Sequence, residues 1–168
     1  IFTRFPASYR NAIVIAQHMP DKFTRTFADR LSRRGALRVS EAQDQDVVSE
    51  GVGFVCPGRH CMELEVSSRG TMKLKVTPPG ERDRYVPSAD RLLTSVAALG
   101  RRAIGVILTG MGDDGVEGAR RIIEAGGMVI AESEESAVVY GMPGSAVRAG
   151  VASQSLHLNE IGDFLAKL

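Results

Sequence analysis

The sequence predicts an α/β fold: a doubly wound, mostly parallel sheet with helices on both faces and an antiparallel β-hairpin at an edge. Three observations carry that expectation. Four short apolar runs, at residues 11–16, 51–55, 103–108 and 128–131, have the length and composition of strands buried on both faces, the pattern of a parallel sheet. Segments with apolar residues on one helical face separate them, as strand–helix–strand crossovers require. A single stretch, 62–66 with 72–76, instead alternates apolar and polar residues around a turn containing Gly70, which reads as a hairpin with one wet face.

Taken in order, the run at 11–16 is read as a fully buried strand. It ends in Gln17-His18-Met19-Pro20, and a helix over 22–34 follows with Phe23, Phe27 and Leu31 as its apolar stripe. Residues 37–39 open another strand, and the strand at 51–55 leads into the turn signal Pro57-Gly58. After the hairpin comes an irregular, charged loop from 77 to 86. Ser88 stands where it can cap a helix over 91–100 that carries Leu92, Leu93, Val96 and Leu99. The strand at 103–108 runs into the glycine-rich turn Thr109-Gly-Met-Gly-Asp-Asp-Gly115, followed by a helix over 116–125 that Gly126-Gly127 closes. A strand at 128–131, a short helix near 145–149 and a last helix over 158–168 complete the chain. No repeat, low-complexity segment or linker interrupts it, so one domain over 1–168 is expected.

Composition narrows the function. The chain has 168 residues and is 43% hydrophobic, enough for a domain that buries roughly 70% of its unfolded surface. No apolar run approaches the roughly 20 residues that span a bilayer, so no membrane insertion is expected. With 21 Lys+Arg against 20 Asp+Glu the net charge is +1, without the basic surplus of a nucleic-acid-binding domain. Arg25, Arg30, Arg33 and Arg34 read as a solvated helix face. Cys56 and Cys61 are too few for a disulfide framework, and with His60 between them they lack the fourth ligand of a zinc site. A reduced, cytoplasmic setting with no metal or other cofactor follows.

In a parallel α/β sheet the residues just beyond the carboxyl ends of the strands carry the chemistry. His18 follows the first strand directly and has the chemistry of a general base near neutral pH; a structural histidine bonded to a loop carbonyl is the alternative. Gly110-Met111-Gly112-Asp113-Asp114-Gly115 matches the dinucleotide fingerprint in outline, with Glu132 after the next strand. Asp113 and Asp114 argue against that reading, because two carboxylates would sit where a diphosphate must rest on the helix N-terminus. One aspartate of the pair is expected to cap the helix. His18 with Asp114 would make the base and orienter of a hydrolytic triad. No Gly-x-Ser-x-Gly elbow supplies the nucleophile, and Cys56, followed by Pro57, is a poor substitute.

These residues carry a resemblance. Gln17-His18-Met19-Pro20 with Phe23-Thr24-x-x-Phe27-Ala28-x-x-Leu31, then Pro57-Gly58-x-His60, Pro87-Ser88-x-Asp90, Leu108-Thr-Gly-Met-Gly-x-Asp-Gly115 and Tyr140-Gly141-Met142-Pro143, occur in family order and resemble the catalytic domain of the chemotaxis protein-glutamate methylesterases, the CheB family. The resemblance implies a serine hydrolase that removes methyl groups from glutamate methyl esters on the cytoplasmic domains of chemoreceptors; some members also deamidate receptor glutamines. It implies His18 and Asp114 as triad members, Met111 as a residue whose backbone N–H helps hold the oxyanion, and a phosphorylated receiver domain as a partner. The family's serine lies in a Gly-x-Ser-Thr-Gly-Gly turn upstream of the histidine, and none of the 17 residues before His18 matches it. The expectation is therefore a chain that begins after the first strand and its serine turn, with residues 1–5 at the end of the helix that follows. The alternative is an inactive module of the same fold that binds receptor or partner. Arg84-Tyr85-Val86 before Pro87 differs from the usual His-Arg-Pro-Ser.

Overall fold

The structure is a computed structural model that describes residues 1–81 and 83–168. Position 82, inside the charged loop expected between 77 and 86, lies outside the described residues. The chain divides into two compact units, Ile1–Ser88 with Phe164–Leu168, and Ala89–Asp163.

The first unit holds a three-stranded parallel sheet made of β1 (Ile13–Ile15), β2 (Arg38–Glu41) and β3 (Val52–Val55), in the order β1-β3-β2. Ile13 pairs with Gly53 and Ile15 with Val55. Gly53 is needed there, since a Cβ on it would come within 2.9 Å of Val39 Cγ2 on the neighbouring strand. Helix α1 (Asp21–Arg34) connects β1 to β2. Its buried stripe differs from the expected one: Thr24 and Ala28 are buried, Phe27 and Leu31 pack beside them, and Phe23 is 49% exposed. Positions 24, 27, 28 and 31 share one face at i, i+3, i+4, i+7, whereas a strict i, i+4, i+8 series drifts around the helix and leaves its first member in water. The four arginines at 25, 30, 33 and 34 are all exposed. Phe5, Tyr9, Ala28, Leu37, Val39 and Val55 form the core, with Phe5 and Tyr9 stacked at 4.5 Å. Residues 2–4 form a single 3₁₀ turn. The strand expected to be fully buried is only half-buried in β1, which pairs with β3 alone among the described strands.

The alternating segment forms a hairpin of β4 (Cys61–Val66) and β5 (Met72–Thr77), hydrogen-bonded as a two-stranded sheet of its own. Leu64 faces Leu74 on the buried side, while Glu63 faces Lys75 and Glu65 faces Lys73 on the wet side. The period of two in the sequence sets this register, because a slip of one residue would exchange the two faces.

The second unit holds a parallel sheet of β6 (Ile104–Ile107), β7 (Met128–Glu132) and β8 (Gln154–Leu156), in that order. Helix α2 (Ala89–Val96) continues as a 3₁₀ segment to Arg102, α3 (Val116–Glu124) connects β6 to β7, and α4 (Met142–Arg148) lies between β7 and β8. Helix α5 (Leu158–Leu165) follows, and its end, Leu165 with Ala166, packs on the core of the first unit to which those residues belong. Ile107, Ile122, Val129, Ile130 and Ala146 are buried. No helix among the described residues is long and apolar enough to cross a membrane.

Candidate functional site

In the first unit, β1 ends at Ile15, and the extended Pro20 (φ −61°, ψ 145°) turns the chain into α1. His18 sits in between, half-buried, with its ring stacked on Tyr85 at 5.5 Å and 20° between planes. The Arg84 guanidinium lies 5.5 Å from the centre of the Tyr85 ring. A flat aromatic face restricts how an imidazole can turn, and a cation near the tyrosine ring is attracted by its quadrupole. Tyr85 falls in the segment where this chain departs from the usual family pattern, and that departure was the one sequence signal pointing to it.

The loop after β3 packs onto the start of α1. A Cβ on Gly58 would fall 2.4 Å from the Asp21 backbone, so only glycine allows the approach. The Gly58 N–H donates to Thr24 Oγ1 at 3.4 Å, and Thr24 also bonds to the Glu41 carboxylate and to the Asp21 carbonyl. Arg59 pairs with Asp21 at 3.2 Å, and His60 Nδ1 lies 3.2 Å from the Gly58 carbonyl oxygen. His60 thus has the bonding of a structural histidine. Cys56 and Cys61 are buried thiols, which removes Cys56 as an accessible nucleophile.

In the second unit, the glycine-rich turn after β6 is held along its first half by backbone bonds to the segment before α4. The Gly110 N–H donates to the Val139 carbonyl at 3.0 Å, and the Gly110 carbonyl accepts from Gly141 and Met142 at 3.1 and 2.8 Å. The two strands of loop come so close that a Cβ on Gly141 would meet the Gly110 carbonyl oxygen at 2.6 Å. This contact joins Tyr140-Gly141-Met142-Pro143 to the glycine-rich turn although the two are distant in sequence. Glu132, considered from sequence only as a ribose-binding acid, is buried and accepts from the Thr109 N–H at 2.8 Å and from Ser136 Oγ at 3.0 Å. It braces the loop from beneath.

Asp114 is buried, and its two oxygens accept the N–H groups of Ala89 and Asp90, at 2.7 and 2.9 Å. One aspartate of the pair does cap a helix, but the helix is α2, not the α3 it precedes in sequence. Ser88, expected as the cap of that helix, is buried just before it. Asp113 is exposed. Met111 stands at the tip of the turn, 75% exposed, and its N–H has no acceptor among the described residues. Gly112 and Gly115 take positive φ (88° and 98°), a conformation that glycine adopts without strain.

The chain therefore belongs to the class of doubly wound α/β proteins whose chemistry-bearing residues follow the strands, with an imidazole after β1 and an open amide beside a buried carboxylate after β6. Its particular place is equally clear. A profile of the CheB methylesterase family matches residues 1–165, and the chain belongs to that family. It is 49% identical over 158 residues to a protein-glutamate methylesterase/protein-glutamine glutaminase of Myxococcus xanthus, covering 93% of this chain and 45% of that protein. It is 44% identical over 162 residues to a protein of the same description from Geobacter sulfurreducens, covering 96% of this chain and 43% of the relative. The chain thus spans less than half the length of these relatives. The crystal structure of the Thermotoga maritima CheB methylesterase catalytic domain superposes with a TM-score of 0.94 at 34% identity, covering 99% of this chain and 88% of that one.

Proposed function

We propose that this chain is the part of a cytoplasmic protein-glutamate methylesterase that carries the general base, its orienting carboxylate and an oxyanion donor, in one catalytic domain. The substrate is a glutamate methyl ester on the cytoplasmic domain of a chemoreceptor. The observation that carries the reading is the Met111 N–H, which has no acceptor among the described residues and belongs to an exposed residue of a loop tied at Gly110 and at Asp114. A rigid donor left without an intramolecular acceptor is what a developing oxyanion requires.

The nucleophile in this reading is a serine from outside these residues, as the family pattern implies. His18 takes the serine hydroxyl proton while the serine oxygen attacks the ester carbonyl carbon. The carbonyl electron pair moves onto oxygen and is held by the Met111 N–H. Collapse re-forms the carbonyl, breaks the bond to methoxide, and the imidazolium returns its proton to give methanol. Water, deprotonated by His18, then releases the acyl group as the glutamate carboxylate and restores the serine. Asp114 holds the imidazole tautomer and stabilises the imidazolium. With a glutamine side chain the same steps release ammonia, which is the deamidation that the relatives' descriptions name. A phosphorylated receiver domain is the partner this reading assigns to the protein.

Methanol release from a methylated receptor cytoplasmic domain tests the proposal, using a longer protein in which these residues are joined to an upstream Gly-x-Ser-Thr-Gly-Gly turn. His18→Ala is expected to lower kcat by roughly 10,000-fold. A longer protein that releases no methanol, or a His18→Ala variant with full activity, overturns it and leaves a binding module of the same fold.

A further inference from the structure

Helices α2 and α3 cap each other. Asp114, in the loop before α3, accepts the first two N–H groups of α2. Asp90, in the first turn of α2, accepts the Gly118 N–H of α3 through Oδ1 at 2.8 Å, and the N–H groups of Gly115 and Glu117 also bond to it. The residue at the cap position of α3 is Gly115, which has no side chain to offer, so the carboxylate must come from elsewhere. Gly118 makes the exchange possible. A Cβ there would meet Leu93 Cβ at 2.6 Å and the Asp90 carbonyl oxygen at 2.7 Å, so the two helices touch backbone to backbone at their N-terminal ends.

The loop from Gly110 to Gly115 is consequently fixed at two ends. Gly110 is tied to Val139, Gly141 and Met142, and the far end is tied through Asp114 and the start of α3. Only Met111, Gly112 and Asp113 lie exposed between the anchors. That stretch has Gly112 at positive φ (88°) at its centre, so its setting comes from the anchors on either side. The setting of the Met111 N–H and of the Asp114 carboxylate therefore depends on the far anchor, and the far anchor depends on Asp90.

We propose that Asp90 is a positioning residue of the candidate site, whose carboxylate on the N-terminus of α3 sets the loop that carries Met111 and Asp114. This rests on the hydrolytic reading above for its catalytic consequence, but its structural half can be tested alone. Amide hydrogen exchange on this chain reads it directly, because Asp90 contacts the Gly118 N–H whereas the Ala89 N–H is held only by Asp114. In Asp90→Ala, exchange is expected to rise about tenfold or more at both Gly118 and Ala89, and Asp90→Asn, which keeps an acceptor oxygen, is expected to restore most of the protection. Leu92→Val, a core change on the same helix, is the control and is expected to leave the ratio of these two amides to their neighbours unchanged. Kinetics on the longer protein supply the second reading: Asp90→Ala should lower kcat for methanol release by roughly 10- to 100-fold with KM within about twofold, while Leu92→Val stays close to the parent. Faster exchange at Gly118 alone, or an unchanged kcat in folded Asp90→Ala, overturns the proposal. If Asp90→Ala does not fold, Asp90→Ser, which is polar but too short to reach α3, is read at the same amides with the same expectation. A parent protein without esterase activity would defeat the hydrolytic reading and leave the exchange result to decide the positioning role.

Discussion

The loops after β1 and after β6 occupy equivalent places in their sheets, each just beyond the carboxyl end of a parallel strand, yet they are held in opposite ways. The loop after β1 presents its key residue through side-chain contacts: the His18 ring lies on Tyr85, and Tyr85 lies near Arg84. The loop after β6 is held by hydrogen bonds that fix backbone groups: backbone to backbone at Gly110, and backbone N–H to carboxylate at Thr109 with Glu132 and on α2 with Asp114. The difference matches the work assigned to each. A base that takes a proton and returns it needs its ring held at one tilt, which stacking on Tyr85 favours. An oxyanion donor must be in place before charge develops, which only a fixed backbone provides.

That contrast can be broken at several points. The largest effect is expected at Asp114. Asp114→Ala leaves two N–H groups of α2 without their acceptor, and the stability loss should be about 3 kcal/mol by urea denaturation. A loss below about 1 kcal/mol would mean that α2 finds another cap. Next comes Gly141→Ala, where the added Cβ meets a carbonyl oxygen that belongs to the loop itself. About 2 kcal/mol of destabilisation is expected, together with faster exchange of the Gly110 and Met142 amides. A neutral result there would show that the loop after β6 yields as easily as its counterpart. Tyr85→Ala should cost about 1 kcal/mol or less, since it removes one half-exposed ring stack. Its signature is a change in the His18 ring resonances without change in the amides of residues 110–115.

The smallest effect is a pH dependence at Asp90. Burial is the main reason its carboxyl lies above the ordinary value of 3.8, the Gly118 N–H opposes the rise, and the charge of Asp114 adds to it. Of the charged groups on α3, Glu117 is paired in solvent with Arg120 and Arg121, and Arg121 also with Glu124. Arg91 on α2, the exposed Asp113 in the loop before α3 and the exposed Arg101 and Arg102 on the 3₁₀ segment are further charged groups on the neighbouring elements. A raised carboxyl value means that the folded state binds the proton more readily than the unfolded chain. The stability so contributed is fully present below pH 3.8 and is lost as pH rises through the folded value. The stability of the parent relative to Asp90→Asn should therefore be greatest in acid and fall toward neutral pH. A difference that is flat, or that grows with pH, contradicts burial as the cause.

Much of the architecture was legible locally. The runs now seen as β1, β3, β6 and β7, the alternation of β4 and β5, and the glycine-rich turn each announce themselves within a few residues. Strand β8 does not: Gln154-Ser155-Leu156 has no apolar pattern, and it is a strand because Ile130 and Ala131 on β7 pair with it. The exposure of Phe23 was misjudged for a related reason, since periodicity indicates a helix but not which residue faces its neighbours. His18, Asp114 and Met111 could be singled out from position and family pattern. The Tyr85 stack, the Glu132 brace and the cross-capping of Asp90 and Asp114 join residues 23 to 67 positions apart, and no local rule reaches across such distances.

What the sequence alone determined, then, is the kind of element at each point and the family to which the chain belongs, because hydrophobic period, glycine placement and motif order are written residue by residue. What only the tertiary structure decided is which partner each polar group takes. Asp114 precedes α3 yet caps α2, because Gly118 lets the two helices approach closely enough for the carboxylate of the loop to reach the Ala89 and Asp90 N–H groups.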